Sequence, residues 1–469
     1  MLVQVRIENF LSFREAICFS MVGVNSDLNH VNHLAADAVG DGKSVLPVAA
    51  IYGANAAGKS NLIEAIDFAK DLIVEGTRSG KILPVSPFKL GNGSKKHSKF
   101  EFIFTYQNTC YSYGFTLKPS QILEEWLYAI PHQQKEEVLY FERRTSEKGE
   151  TQVEYGDPLK GKSDENKQFL DFIARGTRSN QLFVTEAVDR NVELLLPIVN
   201  WFKKALTIIP AETPFTGLEI GILSSEEFTS FLSGFLKFAG TGIESIGIDE
   251  VTVDLDYHFP DMSEDMRDEL NQQLAEAGEN SVLMIDFGKK RYLLMKGEQD
   301  QISLMQIKTK HRHEKGQLVD FSIDEESEGT QRLINLIPIL FTLKKESEKV
   351  ILLDELDRRL HPLLSRQFLE FFLQGKAEDI RNQLIFTTHD TNLLDLDILR
   401  RDEIWFLEKN QQGASHLYSL AEFKIRPDLK IDKGYLNGRF GAIPFFGDIH
   451  SLGWLDAETK PSASKINFE

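Results

Sequence analysis

Gly53-Ala54-Asn55-Ala56-Ala57-Gly58-Lys59-Ser60 is the stretch on which the fold turns. The run before it, Val48-Ala49-Ala50-Ile51-Tyr52, is short and apolar, as a buried strand is, and the residues from Ser60 to about Val74 have helical spacing. A strand, a glycine-bounded loop ending in Lys-Ser, and a helix, in that order, make a phosphate-binding loop. Gly53 and Gly58 let the backbone wrap a phosphate chain with its N–H groups, at the positive end of the helix. Lys59 is placed to reach the β and γ phosphates, and the hydroxyl of Ser60 to hold Mg²⁺. Asn55 and Asn61 complete the candidate phosphate-side set.

A second acidic element belongs with such a loop. Val350-Ile351-Leu352-Leu353-Asp354-Glu355 is an apolar strand that ends in two carboxylates. Asp354 is the candidate for the Mg²⁺ shell and Glu355 for the general base that polarises an attacking water, a task that needs hydrogen-bond reach more than an extreme pKa. Ser327 lies 27 residues before Asp354 (354 minus 327), in Glu326-Ser327-Glu328-Gly329-Thr330-Gln331-Arg332-Leu333. A Ser-x-Gly-Thr turn opening an apolar helix offers a hydroxyl and backbone N–H groups, which makes Ser327, Gly329 and Thr330 a second candidate anion site. Leu384-Ile385-Phe386-Thr387-Thr388-His389 is a further buried strand, and His389 follows Glu355 by 34 residues (389 minus 355). At a strand end in this order, His389 is expected to sense the γ-phosphate or the water.

Around these motifs the chain has 469 residues, 42% hydrophobic, enough for more than one substructure. No segment approaches the roughly 20 apolar residues of a membrane-spanning helix. The two cysteines, Cys18 and Cys110, form no metal or redox spacing, so a cytoplasmic location without membrane contact is expected. A net charge of −18 opposes nucleic-acid binding by bulk positive field. A local nucleic-acid site is left open by two basic clusters, Lys95-Lys96-His97 with Lys99, and Lys308-Thr309-Lys310-His311-Arg312-His313 with Lys315, although each reads more simply as a solvated loop. Period-two stretches predict strands over 1–20 and within 100–145, and helical spacing marks 164–280. Strands resume at Val282–Ile285, Tyr292–Met295 and Leu318–Phe321, and the last third alternates helix and strand. The expected organisation is therefore an α/β fold with a mixed, mainly parallel core sheet and an antiparallel β subdomain. Residues 1–160 and 281–469 are the two halves, interrupted by a helical insertion at 161–280. No heptad pattern persists long enough for a coiled-coil arm.

The order and spacing of these motifs resemble the ABC-type ATPase heads of the SMC and RecF class, and most of all the stand-alone AbiLi-type and OLD-like ATPases of phage-defence loci. The resemblance extends to Ile7-Glu8-Asn9-Phe10-Leu11-Ser12-Phe13 at the start and Gly438-Arg439-Phe440-Gly441-Ala442-Ile443-Pro444 near the end, and covers 1–140 and 285–450. It implies ATP and Mg²⁺ as ligands, ATP hydrolysis, and head-to-tail self-association as a dimer or higher oligomer. In such a dimer Ser327, Gly329 and Thr330 face the nucleotide on Lys59 of the other copy. The 295 residues between Lys59 and Asp354 (354 minus 59) fit a head with an insertion better than a ring-forming AAA+ motor. Three departures stand out: the turn reads Ser-Glu-Gly-Thr, the segment Leu356-Asp357-Arg358-Arg359-Leu360-His361-Pro362 matches the usual dimer-contact loop only loosely, and no glutamine can be assigned as the Mg²⁺ sensor.

Two functions follow from that likeness. One is a defence ATPase that holds or releases a separate effector such as a TOPRIM-type nuclease, since the 80 residues after His389 (469 minus 389) are too few for a nuclease domain. The other is a RecF-like repair ATPase acting on DNA ends or gaps. Asp395-Leu396-Asp397 reads as a helix-start cluster rather than a metal pair, and His311-Arg312-His313 lacks the companions of a zinc site.

Overall fold

The computed structural model describes the chain apart from residues 28, 36–42, 92–96, 132–135, 147, 162–163, 212–216, 254–257, 261, 277, 279–280, 288–289, 298–300, 375–380, 426–429 and 445–469. Lys95 and Lys96 of the first basic cluster lie outside the described residues.

The apolar runs read from sequence come together in one six-stranded sheet. Its order is β18 (Ser415–Ser419), β17 (Ile404–Lys409), β3 (Val48–Gly53), β16 (Gln383–Thr387), β15 (Val350–Leu353) and β9 (Leu206–Ile209). All neighbours pair in parallel except β18, which returns antiparallel on β17. Parallel strands are buried on both faces, and here successive residues feed two different cores. Ala49, Ile51, Leu352 and Ile385 point into one; Val48, Ala50, Tyr52, Leu353 and Phe386 into the other.

The first core lies beneath a seven-stranded antiparallel sheet in the order β2 (Ile17–Ser20), β1 (Leu2–Glu8), β4 (Ser98–Tyr106), β5 (Thr109–Lys118), β6 (Gln121–Pro131), β7 (Val138–Thr145) and β8 (Thr151–Tyr155). Phe100, Phe102 and Phe104 alternate inward from β4, and α1 (Lys59–Val74) contributes Leu62, Ile66 and Ile73 to the same core. On the other face, the helices Glu226–Phe238, Glu328–Lys345 and Pro362–Gln374 supply Leu232, Leu336, Ile337, Phe368 and Leu369. This is the mixed α/β head with an antiparallel subdomain that the motifs imply.

A third sheet, β10 (Ile243–Thr252), β13 (Ile302–Arg312), β12 (Lys290–Lys296) and β11 (Val282–Phe287), with β14 (Leu318–Ser322) paired to β13, carries its own small core around Phe259, Leu270, Leu274, Leu294 and Leu304. The segment 161–280 is thus not helix throughout. It contributes β9 to the head sheet and β10 to this lobe, because Leu206-Thr207-Ile208-Ile209 pairs with Val350–Leu353 along the edge of the parallel sheet. The second basic cluster also differs from a solvated loop. Residues 308–312 lie on β13, Thr309 is buried, and Lys310 and Arg312 pair with Asp320 and Glu244 at 3.4 and 3.0 Å. Among the described residues, no helix is long and apolar enough to cross a membrane.

Candidate nucleotide site

The phosphate loop is held by contacts only small residues permit. Gly58 has φ 117°, and a Cβ there would come within 2.6 Å of Ser415 Oγ and 2.8 Å of Ser12 Oγ. A Cβ on Gly53 would lie 2.5 Å from the Leu407 carbonyl oxygen. Ser415 Oγ donates its proton to the Ala57 carbonyl (2.6 Å) and lies within hydrogen-bond distance of Ser12 Oγ (2.8 Å), whose hydroxyl also accepts from Asn61 Nδ2 (2.7 Å). Ser12, in the loop after β1, and Ser415, at the start of β18, therefore brace the loop from two remote parts of the chain. Ser12 fell inside the resembling N-terminal stretch; Ser415 had no signal in the sequence.

Gly58 caps α1 without a side-chain acceptor, and the first amides of a helix have no carbonyl four residues back. With Asn55 and Ser60 exposed beside them, these N–H groups form a cradle that suits an anion. Lys59 is buried, and its Nζ donates to the carbonyls of Gly53 (2.9 Å) and Ala54 (3.3 Å). Burial lowers its pKa to about 8, against the opposing pull of Asp354, Glu355 and Asp357.

Those carboxylates sit at the C-terminal end of β15, beside β16, where ligands gather in parallel sheets. Thr387, the last residue of β16, links them: its Oγ1 donates to Asp354 Oδ1 (2.5 Å) and accepts the N–H of Glu355 (2.8 Å). Glu355 has φ 52°, a strained conformation for a residue with a Cβ, and Arg358 pairs with its Oε2 at 3.2 Å. His389 donates its backbone N–H to both carboxylate oxygens of Asp357, each at 3.3 Å. Desolvation first, then the charge of Lys59, lowers the His389 pKa and favours the neutral imidazole. Lys59, Asp354, Glu355 and His389, four residues 330 positions apart at the extremes (389 minus 59), thus share one electrostatic neighbourhood. Asp357 and Thr387 are members that sequence reading did not single out. The carboxylate of the Leu356–Pro362 segment and the first threonine of Thr-Thr-His-Asp were the available signals.

Ser327, Gly329 and Thr330 open the helix Glu328–Lys345. Ser327 Oγ accepts the Thr330 N–H (3.2 Å) and meets Thr330 Oγ1 at 2.9 Å, so its hydrogen bonds stay within its own turn, and the residue is exposed. Just before it, the buried carboxylate of Glu326 takes His311 Nε2 (2.7 Å) and the hydroxyl of Thr309. Asp395 is engaged by Arg366 (2.9 Å) and by the Asp397 amide (3.0 Å), a turn closed on itself.

A strand–loop–helix phosphate cradle with an acidic neighbouring strand end defines a P-loop nucleotide-binding protein. The chain belongs to the family described as AAA domain, putative AbiEii toxin, Type IV TA system, whose model matches residues 48–395. Among solved structures it is similar to an SMC head domain from Thermotoga maritima, at 14% identity over 90% of this chain and 99% of that one, with TM-score 0.35. It is also similar to an Smc head bound to the C-winged helix domain of ScpA (13% identity, 89% and 97% covered, TM-score 0.37). A third is an Smc head with an extended coiled coil bound to the C-terminal domain of ScpA derived from Pyrococcus furiosus (10%, 93% and 98%, TM-score 0.33). No curated protein matches the chain.

Proposed function

We propose that the protein binds MgATP on residues 53–61 and hydrolyses it to ADP and phosphate, and that the active form pairs two copies head to tail. The observation that carries this reading is the convergence of Lys59, Asp354, Glu355 and His389 on one end of the parallel sheet. The cradle of free amides, the buried lysine and the paired hydroxyl and carboxylate suit a nucleotide with its divalent ion. Ser60 and Asp354 would hold Mg²⁺, which neutralises phosphate charge when bound.

In this reading Glu355 accepts a proton from the attacking water as the water oxygen bonds to the γ-phosphorus and the bond to the β–γ bridging oxygen breaks. Lys59 stabilises charge on the transferred group, and neutral His389 is free to hydrogen-bond it. Ser327, Gly329 and Thr330, on an exposed helix start, would meet the γ-phosphate held by the other copy. Residues 1–160 and 323–444, together with the helices and the strand Leu206–Ile209 that 161–238 packs into both cores, would form the head, leaving the lobe of β10 to β14 for partner recognition. At the level of the cell we propose a regulatory ATPase in antiphage defence that controls a separate effector, such as a nuclease, on the resemblance of its motifs to those of phage-defence ATPases; the matched family's description, a putative toxin of a Type IV TA system, is compatible with a two-component system of that kind. The repair alternative draws less support, because two of the cations of β13, Lys310 and Arg312, are already matched by Asp320 and Glu244.

Glu355→Gln tests the chemistry. It is expected to bind ATP with affinity close to wild type, to lose at least roughly 10²-fold in turnover, and to accumulate as an ATP-bound dimer in light scattering. Full turnover in that variant would remove Glu355 from the mechanism.

A further inference from the structure

Arg332 stands five residues beyond Ser327, on the same helix, and is buried. Its Nη2 donates to the backbone carbonyls of Asp354 (3.3 Å) and Glu355 (3.1 Å), and its Nε finds no acceptor among the described residues. A buried guanidinium spent on two carbonyls is costly: burial, then the like charge of Arg358, disfavours its cation, and the carboxylates of Glu355, Asp354 and Asp357 offset that only in part. The contact is reinforced on both sides. A Cβ on Gly329 would come within 2.8 Å of the Arg359 carbonyl oxygen, so the Ser-Glu-Gly-Thr turn lies directly on the segment after Glu355. Arg359 pairs with Glu328 at 3.3 Å, and Arg358 with Glu355 at 3.2 Å. The opposite side of the segment is gripped by Thr387 and by the His389 amide.

We propose that Arg332 is a positioning residue: it fixes the left-handed backbone of Glu355, and so the direction of its carboxylate, to the helix that carries the Ser327 turn. The inference rests on the ATPase reading above. Its consequence is that each chain's turn, when it closes on a partner's nucleotide, resets that same chain's general base. The two sites then fire as a coupled pair rather than independently. A guanidinium is suited to the task because its terminal Nη2 carries two N–H donors, one for each of two consecutive carbonyls, and the group stays charged when buried.

The test compares Arg332→Gln and Arg332→Lys with wild type in full-length protein, with Glu355→Gln as reference. ATP affinity is expected to stay within about threefold while kcat falls roughly 10- to 100-fold for Gln and less for Lys, which keeps the charge. Hydrogen exchange should report ATP-induced protection of residues 354–359 in wild type, weaker protection in Arg332→Lys and none in Arg332→Gln. If the Gln variant does not fold, the Lys variant decides by the same split between affinity and turnover. Wild-type turnover and protection in the folded variants overturn the inference, and so does a parallel loss of binding and turnover, which marks a merely structural cation. If Glu355→Gln is inactive while Arg332→Gln is untouched, only the Arg332 role fails. If Glu355→Gln keeps full activity, the site reading fails and takes this inference with it.

Discussion

Lys59 pairs a charge with a place that disfavours it. Burial moves its pKa from 10.5 to about 8, so the folded protein binds a proton there less tightly than the unfolded chain does. By linkage the cost is fully present below pH 8, where both states are charged, shrinks between pH 8 and 10.5, and vanishes above, so stability rises with pH across that window. Lys59→Met should therefore stabilise the nucleotide-free protein by ~2–3 kcal/mol at pH 7 and by little near pH 10.5. Urea unfolding at the two pH values, without nucleotide or Mg²⁺, reads the difference; a stability gain that does not shrink as pH rises would detach it from the lysine charge. The same variant is expected to lose ATP binding. A residue kept at a cost to stability is what an anion site asks for. Thr387 makes the complementary point, since a hydroxyl between Asp354 and the Glu355 amide sets both groups at once, and no pattern of apolar spacing encodes that.

At the scale of elements, what could be read in advance was whatever had a period or a motif. Val48–Gly53, α1, Val350–Leu353 and Gln383–Thr387 each announced themselves by an apolar run tied to a chemical signature. Leu206–Ile209 did not: four residues leave no measurable period, and they follow helical spacing, so their partnership with Val350–Leu353 is a tertiary fact. Lys308–Arg312 misled for a different reason. Cations in a row suggest a loop, but on a strand they alternate, and Thr309 and His311 turn toward Glu326 while Lys310 and Arg312 find acids on neighbouring strands.

Glu125 is the strongest such case. It stands beside Glu124 and Trp126 on β6, in a polar-looking pair, yet it is fully buried. Its carboxylate accepts the amides of Phe183 (2.6 Å) and Val184 (2.9 Å) at the start of the helix Phe183–Asp189, and meets Tyr113 Oη at 3.1 Å and Arg143 Nη1 at 3.4 Å. Arg143 in turn donates to the carbonyls of Gln181 and Arg178. This pair clasps the segment 178–184 to the antiparallel sheet. Glu125→Ala should cost roughly 3–5 kcal/mol, because a buried arginine and two amides lose their partner at once. Chemical denaturation of Glu125→Ala, Arg143→Met and the double variant is the measurement. The double variant is expected to lose clearly less than the sum of the singles, and simple additivity would mean that the two side chains do not act together.

For the whole molecule, the position of the Ser327 turn decides the stoichiometry of a working site. Lys59, Asp354, Glu355 and His389 gather within one chain, while Ser327 and Thr330 bond only within their own exposed turn and Gly329 rests on Arg359. If each nucleotide lies between the phosphate loop of one copy and the turn of another, two different defects can rescue one another. A Lys59→Ala chain keeps an intact turn; a Ser327→Arg chain keeps an intact loop. Each alone is expected to be inactive. Mixed one to one, random pairing makes about half the dimers mixed, and each of these has one site with both halves sound, so turnover should recover to at most roughly a quarter of wild type, and to less by the factor that coupling between the two sites takes from the sound one. Steady-state hydrolysis against mixing ratio, at protein concentrations above the dimer dissociation constant, gives the answer. A peak at equal proportions identifies a shared site. A flat, inactive profile in a mixture shown by light scattering to contain dimers would mean that each chain completes its own site, and the head-to-tail arrangement would have to be abandoned.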